Sequence, residues 1–256
     1  MPPGEPGPPG PAVHPPAPAL QILPLTGVAE VRPGDDLAAL LGDALAPALG
    51  GAPTLENGDV VVVTQKIVSK AEGRVVPIET GDPAAKVALV EREATRVLRR
   101  RGDLLITETP QGFVCANAGV DLSNMAEGTA ALLPLDADRS ARRIRAGLER
   151  RLGVEVGVIV SDTFGRPWRQ GVTDVAIGCA GVAAVVDLRG TADAAGRELT
   201  ATEICVVDEL AGAAELVMGK DRQVPAAVVR GVPSSWLRPS SVAAEVVRTP
   251  AEDLFR

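Results

Sequence analysis

Residues 158–171 read VIVSDTFGRPWRQG. The β-branched run Val158-Ile159-Val160 has the composition of a buried strand. It delivers Ser161, Asp162 and Thr163 into a turn marked by Gly165 and Pro167. Folds that mix strands and helices tend to place their chemistry at the end of such a strand. A carboxylate beside a hydroxyl can ligate a hard cation, and Arg166 and Arg169 add charge suited to phosphate. Asp162 and Thr163 are equally suited to capping a turn.

A second acidic loop, Asn117-Ala-Gly-Val-Asp121-Leu-Ser-Asn124, has the same character. Asp121 reads as a metal carboxylate and Asn124 as a phosphate contact, set against ordinary Asx-turn chemistry in which these side chains bond their own backbone. The segment 61–74 leaves a buried Val run and carries Lys66, Lys70 and Arg74. Lys70 could point at a phosphate, although such runs more often form a solvated face. Together the loops suggest a metal-assisted nucleotide site.

Composition narrows the choices. The single histidine, His14, lies in a Pro- and Gly-rich leader, residues 1–19. No histidine base, Ser-His-Asp triad or histidine metal ligand is therefore expected in the folded part. Oxygen ligands remain, which favours Mg or Mn over Zn. A net charge of −7 argues against a nucleic-acid binder, and aromatics at 2% leave little for a base-stacking platform. Cys115, Cys179 and Cys205 are an odd, scattered set, read as buried thiols in a reducing compartment. No apolar run approaches the roughly 20 residues that span a bilayer, so the expected location is cytoplasmic, with no membrane partner.

The periodicity predicts strands over 20–25, 59–63, 104–107, 113–116, 154–160 and 225–230, with apolar segments at 172–177 and 182–188. Helices are predicted over 35–49, 84–101 and 140–152, and a last one opens on the capping box Thr200-x-x-Glu203 and closes at Gly219. These elements do not alternate strictly, which favours α+β or an irregular α/β fold. Neither a Walker-type loop nor a G-x-G-x-x-G motif is present. The expected organisation is a leader at 1–19, one domain at 20–232 and a polar, weakly patterned tail at 233–256.

Taken in order, GDDLAALL (34–41), DVVVVTQKIVSKAEGR (59–74), VCANAGVDLSN (114–124), LPLDADRSA (133–141), GVIVSDTFGRPWRQGVTDVAIGCAG (157–181), GRELTATEICVVDELA (196–211) and VPAAVVRG (224–231) resemble the coenzyme F-420 gamma-glutamyl ligases. The resemblance implies irregular mixed sheets, an intertwined homodimer and GTP-dependent addition of L-glutamate to coenzyme F-420-0, a deazaflavin ending in a phospholactyl carboxylate. Further gamma-linked glutamates would follow. The route implied passes through an acyl phosphate, with two divalent cations (Mg or Mn) and a monovalent ion (K) assisting. By resemblance, Asp121 and Asp162 are catalytic, and Asp121, Asp162 and Thr163 hold metal. Val28, Ala29, Glu30, Val31, Gln65, Lys70 and Asn124 take GTP-contacting positions, and Arg166 and Arg169 support phosphate or substrate. Gly27-Val28-Ala29 stands where the family usually has Gly-Leu-Pro, Gln65 where some members carry a small hydroxyl residue, and Lys220 where some carry an acid. The ending AEDLFR resembles the linker that leads, in actinobacterial two-domain members, to a flavin-binding domain. Two other readings stay open: a binding module that needs such a domain for catalysis, and a metal-dependent phosphohydrolase.

Overall fold

The structure, a computed structural model, describes residues 19–45, 54–79 and 81–254. Its centre is a five-stranded sheet. The strands are β1 (Gln21–Leu25), β2 (Val60–Thr64), β8 (Gly157–Arg166), β9 (Arg169–Ala180) and β12 (Ala226–Arg230). They lie in the order β1-β12-β2-β8-β9. Only β2 and β8 run parallel; the other neighbours are antiparallel.

The valine run explains why β2 is central. Val60 to Val63 are all fully buried, as expected for a strand covered on both faces. Alternation then assigns the faces. Val61, Val63, Val158, Val160 and Val228 pack against α1 (Leu37–Ala44) and α4 (Ala137–Leu152). Val60, Val62, Ile159 and Val229 pack against α5 (Val206–Met218) on the other side. Each such burial contributes about 1.5–3 kcal/mol. The fold is therefore mixed α and β, with several smaller sheets beside the main one.

Those smaller sheets form a satellite. It contains β3 (Val75–Pro77), α3 (Pro83–Glu93), β4 (Arg96–Arg101), β5 (Leu104–Glu108), β6 (Val114–Ala116) and β7 (Thr129–Ala131), while α2 (Gln65–Ala71) joins the main core through Ile67 and Val68. β4, β5 and β6 form one sheet, and β3 pairs with β7. A third apolar cluster of Leu89, Val90, Leu105, Val120, Ala130 and Leu132 fills the space beneath α3. A separate pair, β10 (Val186–Asp187) and β11 (Glu203–Ile204), precedes α5, and α6 (Val242–Glu245) closes the chain.

The helix predicted over 84–101 ends at Glu93, because Ala94 turns extended and residues 96–101 pair with β5 around Gly102-Asp103. Hairpin pairing outweighs local helix propensity there. The capping box at Thr200 is not used: Glu203 and Ile204 pair with β10, so α5 starts at Val206 without a side-chain cap. The helix predicted to begin at Ser140 begins at Ala137, capped by Asp136, whose Oδ1 accepts from the Arg139 amide at 2.8 Å. Its expected stop holds, with Gly153 left-handed at φ 70°. The leader and the end of the helix expected over 35–49 lie partly or wholly outside the described residues. Past Arg230, Val242 is fully buried, and Trp236, Leu237, Val246 and Val247 pack on the α5 side of the core. No helix among the described residues is long and apolar enough to cross a membrane.

Candidate active site

The parallel pair β2–β8 ends at one place, Thr64 opposite Ser161, and a cleft of about 410 Å³ opens there. It gathers residues far apart in sequence: 28–31 after β1, Lys66 and Lys70 from α2, Asp121 and Asn124 from the satellite, Ser161 to Thr163 from β8, and Lys220 after α5.

Three consecutive left-handed residues aim the Asp121 loop. Asn117, Ala118 and Gly119 have φ of 53°, 51° and 68°. The Asn117 side chain accepts from the Leu105 amide at 3.1 Å, and the Ala118 amide donates to Thr107 Oγ1 at 2.9 Å. A Cβ on Gly119 would meet Leu133 at 2.6 Å, so the turn admits glycine only. Asp121 then exchanges backbone bonds with Ala131 at 2.9 and 2.8 Å, which ties it to β7.

Charge is organised around two carboxylates. Burial alone would raise the Asp121 pKa. Hydrogen bonds from Ser123 and the Lys66 ammonium, 3.0 Å away, hold it below the usual carboxylate value. Asp162 shows the opposite behaviour. Burial pushes it up to about 7, and the nearby charges of Asp121 and Asp174 add to the shift against a bond from the Thr163 amide. Burial and Asp174 likewise raise Glu215 on the cleft wall. Lys220 donates to Thr163 Oγ1, and its backbone carbonyl accepts from Asn124 Nδ2 at 3.0 Å, joining two walls of the cleft. Lys70 pairs with Glu30 at 2.7 Å.

The structure thus brings Val28, Ala29, Glu30, Val31, Gln65, Lys70, Asp121, Asn124, Asp162 and Thr163 to one cleft. The Gln65 side chain is spoken for: its amide donates to Ser69 Oγ at 2.6 Å and to the Leu132 carbonyl at 3.0 Å, inside the core. Arg166 and Arg169 stand apart, on the exposed end of the β8–β9 hairpin. Sequence reasoning missed Asp174, Glu215 and the site position of Lys66. Asp174 reaches Thr163 only because a register shift beside Arg166 displaces β9; regular pairing about Pro167-Trp168 would set Val172 there instead.

The carboxylates of Asp121 and Asp162 and the Thr163 hydroxyl could offer oxygen atoms of the kind a hard divalent cation takes. Among the described residues no three Asp, Glu, Cys or His side chains gather to hold a metal by themselves.

Residues 27–231 match the family model described as F420-0:gamma-glutamyl ligase. The chain belongs to this family. The match takes in every cleft residue named above and both halves of the β2–β8 pair. Among its relatives, the coenzyme F420:L-glutamate ligase of Methanopyrus kandleri is 42% identical, over 93% of this chain and 98% of that protein. The protein of the same name from Methanothermobacter thermautotrophicus is 39% identical, over 93% and 99%. A third, from Methanocaldococcus jannaschii, is 38% identical over 79% of this chain and 86% of its own length.

Proposed function

We propose that this chain is a GTP-dependent ligase that joins L-glutamate to the carboxylate of coenzyme F420-0 and then extends it by gamma-linked glutamates. The observation that carries the reading is the convergence of Asp121 and Asp162 with Lys66, Lys70 and Lys220 in one cleft, in a chain of this family.

A carboxylate is a poor electrophile until it bears a leaving group. The acceptor carboxylate attacks the γ-phosphorus of GTP, the bond to GDP breaks, and an acyl phosphate results. The glutamate amine then attacks the acyl carbon; phosphate departs with the bonding electrons, and the amine proton passes to water. Such chemistry asks for positioning and charge neutralisation rather than a protein nucleophile. Lys70, Asn124 and the segment 28–31 line the wall that receives the triphosphate, while Lys66 and Lys220 add positive charge beside the carboxylates. Asp121, Asp162 and Thr163 would hold the divalent cations, which neutralise phosphate charge when bound. A monovalent ion such as potassium and a homodimeric assembly complete the proposal.

Mass spectrometry of coenzyme F420-0 incubated with the protein, GTP, L-glutamate and Mn tests it. Products heavier by whole glutamyl units are expected. GTP consumed without acceptor modification would replace the reading with a phosphohydrolase. GTP and acceptor both intact would leave a binding module.

A further inference from the structure

Polar groups expected to meet the nucleotide are engaged across the cleft. Lys70 pairs with Glu30 at 2.7 Å, and Asn124 Nδ2 donates to the Lys220 carbonyl at 3.0 Å. Lys66 is engaged in the same way with Asp121. Its ammonium lies 3.0 Å from Oδ2 and donates to Ser123 Oγ at 3.1 Å. The Ser123 amide and hydroxyl both donate to the other oxygen, Oδ1, at 2.7 Å. One oxygen of Asp121 is thus held within its own loop, and the other is covered by a lysine from α2.

That cover conflicts with the role proposed for Asp121. A divalent cation on Oδ2 would repel an ammonium 3.0 Å from the same atom, so the two do not share it. Lys66 has another place to go. It stands one turn from Lys70 on α2, on the same face of the helix, and both line the cleft. A phosphate chain held by Lys70 therefore lies within reach of the long, flexible Lys66 stem. Among the described residues, five carboxylates and three lysines line this cleft. A triphosphate arriving alone meets surplus negative charge, and a cation arriving alone meets a lysine in its place.

We propose that Lys66 is a further phosphate-binding residue, which passes from Asp121 to the triphosphate when Asp121 binds its divalent cation. The inference rests on the nucleotide part of the reading above. It makes cation and nucleotide depend on each other, because each removes the obstacle to the other.

Binding measured without turnover tests it. The paramagnetic resonance signal of free Mn gives its affinity for the protein, with and without the non-hydrolysable β,γ-imido analogue of GTP. Lys66→Met keeps the length of the stem and loses its charge. Mn alone should bind this variant about tenfold more tightly than the wild type. The factor by which Mn and the analogue strengthen each other should fall about tenfold, well inside the range for coupled sites. Lys66→Arg, which keeps the charge, should stay near the wild type in both. Mn alone binding Lys66→Met no more tightly than the wild type, or an unchanged coupling factor, would overturn the proposal; weaker Mn binding would make Lys66 a support that holds Asp121 in place. A wild type that binds Mn but not the analogue would overturn the nucleotide reading together with the exchange. Coupled binding that responds to Lys66→Met as expected, in a protein that adds no glutamate, would overturn the ligase reading and leave the exchange standing.

Discussion

Asp174 stands behind Thr163: its Oδ1 accepts the Thr163 hydroxyl at 2.5 Å, while its Oδ2 accepts from Ser161 at 3.0 Å. Asp174 is almost fully buried, on β9, which pairs with β8. It orients Thr163, whose oxygen in turn accepts from Lys220 on the cleft wall. Asp174→Asn should lower kcat by roughly 10- to 100-fold and weaken the apparent affinity for the divalent cation, the usual cost of losing a group that orients a ligand. Titrating Mn against turnover checks this. A variant with wild-type metal dependence would show that Asp174 serves only the fold.

The cysteines are predicted to be silent. Burial pushes the thiols of Cys115, Cys179 and Cys205 up to about 12, so almost none is thiolate near neutral pH. Cys115 lies close enough to Asp162 to feel its charge, which raises the thiol further. Iodoacetamide at pH 8 should leave turnover intact and label the native chain slowly. Rapid inactivation by a single label on Cys115 would contradict this and implicate the thiol in the site.

How far the sequence revealed this arrangement depends on what kind of information each residue carries. Val60 to Val63 announce a strand buried on both faces, since only burial accommodates four consecutive valines. Ser161, Asp162 and Thr163 could be placed at the end of the β2–β8 pair because the apolar run stops at Val160; the turn expected there was wrong, since β8 carries them on to Arg166 in pairing with β9. By contrast, Arg96 to Arg101 continue a helical pattern and become a strand through pairing with Leu104 to Glu108, a partner chosen by the Gly102-Asp103 turn. Helix α2 was hidden for a different reason. It starts directly after β2 with no capping side chain, so nothing local marks its beginning. Asp174 and Glu215 were invisible as site residues because their relevance comes from registry and helix placement, which no local window contains.

Acid should loosen the C-terminal segment, at a pH well below the one at which Asp162 in the cleft takes up its proton. Arg238 grips Glu245 through two bonds, 2.7 and 2.8 Å long, and holds its pKa down to about 2, despite partial desolvation. Ser240 and the Val185 amide add bonds at 2.7 and 3.2 Å. Because the folded-state value is depressed, the charged carboxylate favours the folded form above its ordinary value of 4.5. That contribution is lost as pH falls from about 4.5 toward 2. Glu245→Gln should lower the melting temperature near neutral pH and flatten its fall over that interval. A variant whose acid limb parallels the wild type would assign the pH dependence elsewhere.

The same segment hangs on a second, buried carboxylate. Asp138 Oδ1 accepts the amides of Cys179 at 2.8 Å and Val242 at 2.9 Å, and Oδ2 accepts that of Ala243 at 3.1 Å. One side chain from the first turn of α4 thus fastens strand β9 and the start of α6 together. Close approach makes the junction unforgiving: a Cβ on Gly178 would lie 2.3 Å from the Ala137 carbonyl carbon. Removing a charged acceptor strands buried donors, at about 3 kcal/mol or more for this group. In a chain of this size Asp138→Ala should therefore lower the melting temperature by roughly 6–12 °C. The loss should be spatially uneven. Amide exchange at Val242 and Ala243 should accelerate first, while the β2–β8 pair keeps its protection, because α6 can release without opening the sheet. Uniform acceleration across β2, β8 and α6 would show instead that the segment after Arg230 unfolds only with the whole domain.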